Sequence, residues 1–398
     1  MARSFKFYGI FLVLMLAFGC KSEKRVMEGF VIDIVDLKKV DNIEVTDTNY
    51  ISSYSIVKLE SSSKSLIQDI DQMEIFEGRI YIRDRNQTRL LVFGFDGKYI
   101  RDIGMRGRAN NEYQALSAFY INPEKRTVNV ADPLTSRIIS YDLDGRYIGS
   151  KEVKGLNLGP ISSMRYFGES EVVCFANPNI FDDRILYILN EEDYSIKDVV
   201  STRPFAPDVG AYSMATQPYS VVSGNLHFVS LFQRTIKSYS GEKPVDIIYT
   251  IDDGKQELTD RQLQVIAEQN ANSYISVGTE LMRSHGYSAG LQNLFESDRF
   301  IFCSSLLSLK NIVWDKHNKI GSIIAPPNNN LPGLNDLSYS EGNTFVKIWK
   351  PDQIKRFMTS LSHGDIPHAD SYDAALEKLG DYDPDQDNPV LLVFQMKN

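Results

Sequence analysis

The chain has 398 residues, of which 42% are hydrophobic, 24% charged and 11% aromatic, and this composition excludes wholesale disorder, collagen and coiled coil. Its 43 basic and 52 acidic residues leave a net charge of −9, which argues against nucleic acid as a partner, because that binding rests on neutralising phosphates. One apolar run stands at the extreme N-terminus, and no other stretch reaches the ~18 apolar residues of a membrane-spanning helix.

That run reads as an address. Arg3 and Lys6 make a positive n-region and Ile10 to Phe18 an apolar h-region of secretory length. Leu16-Ala17-Phe18-Gly19-Cys20 follows, with a small residue directly before a cysteine. This resembles the lipobox of bacterial lipoproteins, with Ala17 where Leu or Val is commoner. The resemblance implies that Cys20 is acylated on sulfur and becomes the mature N-terminus. Acyl chains contribute ~0.8 kcal/mol per buried CH₂, so several hold a soluble domain on a bilayer. Lys21-Ser22-Glu23-Lys24-Arg25 comes next, with no Asp directly after Cys20. The missing inner-membrane retention signal favours the outer membrane, on either its periplasmic or its outer side.

The body of the chain repeats. Shifted by 48 residues, Arg79 to Ile100 lies over Thr127 to Ile148 without a gap. Asp84 meets Asp132, Arg89 meets Arg137, and Asp96-Gly97 meets Asp144-Gly145. Ile80 and Ile82 alternate with polar residues at the strand period, and Leu90 to Phe93 suits a strand buried on both faces. Asp96-Gly97 predicts a type I′ hairpin turn, which needs positive φ at both central residues. Short strands at a period of about 40–50 residues are the signature of propeller blades.

Gly78 to Asp84, Arg89 to Phe93 and Asp96 to Tyr99 resemble an NHL repeat. Ile103-Gly104-Met105-Arg106-Gly107-Arg108 with Asn111-Glu112-Tyr113, and the C-terminal Asp387 to Phe394, resemble a family of six-bladed propeller lipoproteins of Bacteroidetes. The chain departs from that family's glycine- and proline-rich loop at Ala109-Asn110-Asn111. The resemblance runs from about residue 50 to 398 and implies an all-β, six-bladed β-propeller. It says little about function.

Later blades are more divergent. Strands are expected within 162–200, 216–251 and 292–326, and a last unit from Asn335 supplies three strands, Asp336–Ser340, Thr344–Trp349 and Val390–Gln395. Its fourth is assigned to Ser55–Leu59, because closing a ring with strands from both ends removes an exposed edge. Two insertions read helical. Thr259 with Gln262 makes a capping box ahead of Leu263, Ile266 and Ala267. Pro351 opens a second helix with Ile354, Phe357, Met358 and Leu361 on one stripe, and a third runs from Ser371 through Leu379 to Gly380. The expected division is a signal peptide at 1–19, a tether and N-terminal extension at 20–50, and a propeller at 51–398 with helical insertions at about 256–286 and 351–380. The insertions either lid one face or form a docking surface.

Chemistry is scarce. His227, His285, His317, His363 and His368 form no zinc spacing, and no nucleophile elbow or phosphate loop occurs. No metal or cofactor is expected. Cys174 and Cys303 sit in apolar strand-like runs and read as buried thiols. Asp381, Asp383, Asp385 and Asp387 alternate like calcium-loop ligands, yet the turn glycine and closing Glu are missing. Arg83, Arg85, Asn86, Arg106, Arg108 and Tyr113 fall in or beside two loops expected on one face of the first blade, where arginines suit an anionic ligand such as an acidic glycan. The competing reading has Asp84 pair with Arg89, Asp132 with Arg137, and Arg106 and Arg108 with Asp102 and Glu112. Two functions are therefore weighed. The first is a non-catalytic, membrane-anchored binding or interaction module with a protein or small anionic ligand. The second is an extracytoplasmic hydrolase or lyase acting on glycans in the central mouth.

Overall fold

A computed structural model of the protein describes residues 29–168, 170–176, 184–202, 217–241, 245–270, 274–283, 286–305, 310–324, 328, 330–366 and 369–398. The leader, Cys20, His285 and His368 lie outside these. Three strands come first: β1 (Phe30–Asp33), β2 (Lys38–Val40) and β3 (Ile51–Lys58). Blade 1 is β4 (Gln72–Phe76), β5 (Arg79–Asp84), β6 (Arg89–Gly94) and β7 (Tyr99–Asp102). Blade 2 is β8 (Ala118–Asn122), β9 (Thr127–Asp132), β10 (Arg137–Asp142) and β11 (Tyr147–Glu152). Blade 3 is β12 (Ile161–Tyr166), β13 (Glu171–Ala176), β14 (Arg184–Asn190) and β15 (Ile196–Thr202). Blade 4 is β16 (Tyr219–Val222), β17 (Asn225–Val229), β18 (Thr235–Tyr239) and β19 (Asp246–Asp252). Helices α1 (Asp260–Gln269) and α2 (Tyr274–Arg283) lead to blade 5, which is β20 (Leu291–Glu296), β21 (Phe300–Ser305), β22 (Asn311–Asp315) and β23 (Ile320–Ile324). Blade 6 is β24 (Tyr339–Glu341), β25 (Thr344–Trp349) and β26 (Val390–Met396), with α3 (Pro351–His363) and α4 (Asp370–Leu379) inserted before β26. The fold is a six-bladed β-propeller.

The ring closes through β3, which pairs antiparallel with β26 from Val390↔Lys58 to Met396↔Ile51. Its buried Val57, with Leu59 just beyond it, joins Met73, Ile80, Ile82, Leu391 and Val393 in one core between blades 6 and 1. At roughly 25 cal/mol per Å² of apolar surface, this interblade packing carries much of the stability. The extension before β3 is more than a tether. β1 adds in parallel to β19, and β2 adds in parallel to β23, so blades 4 and 5 each gain a fifth strand. Ile32, fully buried, anchors β1 in the core between those blades.

The hairpin turns correct one expectation. Within the Asp-Gly turn of the first repeat only Gly97 has positive φ, +80°, and within that of the second only Gly145, +77°. Gly97 N–H donates to the Gly94 carbonyl, Gly94 N–H donates to Lys98, and the ladder slips between Val92 and Phe93. This is a type I turn closed by a glycine bulge; Asp-Gly serves that geometry as readily as type I′. A Cβ on Gly97 would lie 1.9 Å from the Lys58 carbonyl oxygen, so the closing strand presses directly on this turn.

Loops between the second and third strands of a blade, and those between blades, emerge at one end of the ring, here called the mouth face. Both helix pairs lie there. Thr259 and Gln262 form the reciprocal capping box on α1. Leu263, Ala267, Val277 and Leu281 pack on Phe232 of blade 4. Ile354 and Phe357 of α3 and Tyr372 and Leu379 of α4 join the core between blades 5 and 6. Both insertions are thus packed on the propeller.

Candidate functional site: the mouth of blade 1 and the propeller axis

Arg83 is the penultimate residue of β5, at its mouth-face end, opposite Gln72 of the inner strand. Strand alternation sends Ile80 and Ile82 into the core with blade 6 and turns Tyr81 the other way, toward blade 2. Arg83 keeps only 3% exposure, and its Nε is buried with no hydrogen-bond partner. No ion pair within 4.0 Å and no side-chain hydrogen bond ties its guanidinium to any of the described residues. Asp71, just before β4, is the strongest electrostatic counterweight, with Asp69 behind it, but it spends a carboxylate oxygen on the Arg85 N–H at 3.1 Å. Burial lowers the Arg83 pKa from 12.5 to about 10, with Asp71 opposing and Arg85 adding to the shift. Burial likewise raises Asp71.

Of the other residues expected at this rim, Arg85 and Asn86 are exposed on the loop that follows Arg83. Arg106 and Arg108 are exposed on a separate projection, held by the Tyr113 N–H to the Met105 carbonyl and the Gly107 N–H to the Tyr113 carbonyl. Among the described residues no contact joins them to Arg83. Tyr113 is 1% exposed and packs with Tyr81, Ile103 and Tyr141 in the core between blades 1 and 2, so its ring offers no surface to a ligand.

The pairings weighed against a ligand are also absent. Asp84 accepts the Gln68 and Gln87 N–H groups at 2.7 and 3.1 Å, while Arg89 takes Asp102 at 2.8 and 2.9 Å. Asp132 likewise accepts from Gln114, Ala115 and Leu134 N–H, and Arg137 goes to Thr135. The repeated Asp therefore pins the loop entering its blade. Glu112 receives the Ala109 N–H and Asp102 takes Arg89, and among the described residues no ion pair within 4.0 Å joins either to Arg106 or Arg108.

Along the axis the inner strands meet in a polar plug. Gln72 donates to the Phe119 and Met164 carbonyls at 2.6 and 3.1 Å and accepts from Phe119 N–H, bridging blades 1, 2 and 3. Arg165 of blade 3 donates to the Ser340 carbonyl at 3.0 Å, lies 4.9 Å over the Tyr339 ring, and faces Glu74 of blade 1 at 4.0 Å. Tyr339 donates to Glu341 and accepts from the Ile75 N–H at 3.1 Å. Burial raises Glu74 to about 8, against the pull of Arg165. Glu74 and Glu341 both act on the Arg165 charge, and Glu74, Arg165 and Tyr339 are buried between the inner strands. No sequence signal marked these residues, which come from blades far apart in the chain.

The remaining polar candidates are dispersed. Asp381 pairs with Lys58 and Asp385 with Lys355; Asp383 and Asp387 accept backbone N–H groups within the same turn. Among the described residues no group of His, Cys, Asp and Glu is placed to hold a metal ion. Cys174 and Cys303 are buried free thiols in different blades.

No curated protein matches the chain. By structure it is similar to a protein of Bacteroides fragilis described as exported, with 16% identity, a TM-score of 0.69, and coverage of 92% of this chain and 100% of that one. It is also similar to a member of the DUF4221 family from Bacteroides vulgatus, with 10% identity, a TM-score of 0.50, and coverage of 90% and 99%. At these identities the likeness concerns fold. The sequence model of DUF4934, a domain of unknown function, matches residues 29–395, and the chain belongs to that family.

Proposed function

We propose that the protein is a lipid-anchored, extracytoplasmic binding module that takes a small anionic ligand at the blade 1 mouth. The observation that carries this reading is Arg83: a cation buried to 3% exposure with no acceptor for its Nε–H among the described residues. An isolated buried charge is costly unless something pairs with it. Arginine presents a planar fork of donors matched to a carboxylate or phosphate. Exposed Arg85 beside it adds positive potential in a molecule of net charge −9, which concentrates anions locally. Glycans bearing uronic or sialic acids, and peptide carboxylates, supply such groups. Anchoring rests on the Leu16 to Cys20 motif, and export is supported by that motif and by the description of the Bacteroides fragilis relative. The outer membrane remains the expected site because no Asp follows Cys20.

Calorimetric titration with uronic acids, sialic acid and short acidic peptides at low and high salt tests the ligand. A hit that weakens about tenfold in Arg83→Met supports the site, since a charge-assisted contact contributes about 1.5–3 kcal/mol. A hit unchanged by that substitution places recognition elsewhere. Equal incorporation of a palmitate analogue by wild type and Cys20→Ala overturns the anchor.

A further inference from the structure

The geometry points to a second small-molecule site, independent of Arg83, in the cleft between blades 4 and 5 at the end of the ring opposite the mouth; it fits a flat ring bearing one carboxylate and one hydroxyl. The cleft has a volume of about 370 Å³, within the range of small-ligand pockets. Its walls are aromatic. Phe30 of β1 lies 6.2 Å from Tyr249 of β19 and 6.3 Å from Trp314 of β22, centroid to centroid. The N-terminal extension therefore roofs the cleft with a ring that stays 40% exposed.

The base is polar. The Glu296 carboxylate, fully buried, accepts from Lys316 Nζ at 2.8 Å and pairs with His227 Nδ1 at 2.8 Å. Buried Glu–Lys staples recur in this propeller, at Glu171 with Lys197 and Glu191 with Lys125. The cleft differs in its histidine. With His227 neutral, donation from its Nδ1–H to the Glu296 carboxylate leaves Nε2 an acceptor. Among the described residues Nε2 has no partner, and His227 lines the cleft. At the rim Lys319 Nζ lies 5.4 Å from the Phe30 centroid and has no carboxylate within 4.0 Å among the described residues.

Lys316 and Glu296 neutralise each other, so the charge left to recognise a ligand is Lys319. A planar apolar body rests on Phe30, Tyr249 and Trp314, its carboxylate reaches Lys319, and a ring hydroxyl donates to His227 Nε2. Hydroxylated aromatic acids have this shape and polarity.

The probe is 4-hydroxyphenylacetate, titrated by calorimetry and by tryptophan emission. Only two tryptophans exist, and Trp349 is fully buried, so a change in emission on binding reports on Trp314. Saturable binding is expected, about tenfold weaker for 4-hydroxyphenylacetamide and in Lys319→Gln, and about threefold weaker for phenylacetate and in His227→Gln. Arg83→Met should bind the probe as wild type does, which separates this cleft from the mouth. Lys319 is at the surface, so Lys319→Gln decides the matter even if His227→Gln fails to fold. Absence of saturable binding at millimolar probe, or equal binding of acid and amide, overturns the proposal.

Discussion

Replacing Arg83 by Met should make the ligand-free protein more stable. Burial lowers the Arg83 pKa from 12.5 to about 10, which corresponds to roughly 3 kcal/mol of unfavourable burial. For a base with a depressed folded pKa, that penalty is complete wherever both states carry the proton. It is therefore fully present at pH 7 and is relieved only as pH rises above about 10. Methionine retains most of the apolar stem and removes the charge. The expected gain is about 1–3 kcal/mol, allowing for imperfect repacking, or about 1–4 °C in melting temperature for a chain of this length. Denaturant titration at pH 7 in a buffer free of carboxylate and phosphate reads it directly. Binding of the anionic ligand should fall in the same variant, the trade-off expected of a residue retained for function. A loss of more than about 1 kcal/mol would show instead that the guanidinium stabilises the fold.

Three further outcomes follow from the fold. Gly97→Ala should cost at least about 3 kcal/mol, combining positive φ with a Cβ 1.9 Å from the Lys58 carbonyl; Gly145→Ala, whose nearest contact is 3.3 Å, should cost about 1–2 kcal/mol, and equal losses in denaturant titration would contradict the closing-strand contact. Glu74 is raised to about 8, so its contribution is present below about pH 4.5 and is lost as pH rises through 8; the stability of Glu74→Gln relative to wild type should grow across that window, and a flat difference would contradict the buried assignment. Deleting residues 29–59 removes β1, β2 and β3 and should abolish cooperative unfolding; an unchanged melting temperature in calorimetry would place the closure elsewhere.

Much of the architecture was legible because blade 1 and blade 2 repeat residue for residue, from Asp84 and Asp132 to Gly97 and Gly145. The unit lacking one strand pointed to an N-terminal partner, which the structure extends to Ile51–Lys58. β1 and β2 escaped notice because parallel addition to an outer edge needs no turn residue and only four and three residues of chain. Pairing Asp84 with Arg89 was reasonable by register, since they do face each other across β5 and β6. Yet a carboxylate beside unsatisfied loop N–H groups serves them first, and Arg89 turned to Asp102. The mouth was half legible: Arg83 and Arg85 came from one loop boundary, whereas the burial that distinguishes Arg83 depends on the neighbouring blade. Tyr113 looked like a loop residue and proved to be core. The plug of Glu74, Arg165 and Tyr339, and the His227–Glu296 pair, join positions tens to hundreds of residues apart, which no local pattern records.

The most direct test of the mouth site is the Nε–Hε resonance of Arg83, assigned as the arginine cross-peak that Arg83→Met removes. A slowly exchanging proton with no acceptor is expected in the free protein, shifting downfield in a saturable way as the acidic ligand identified by calorimetry is added. A peak already shifted as if hydrogen-bonded in the free protein, or one that the bound ligand leaves unmoved, would contradict the mouth site.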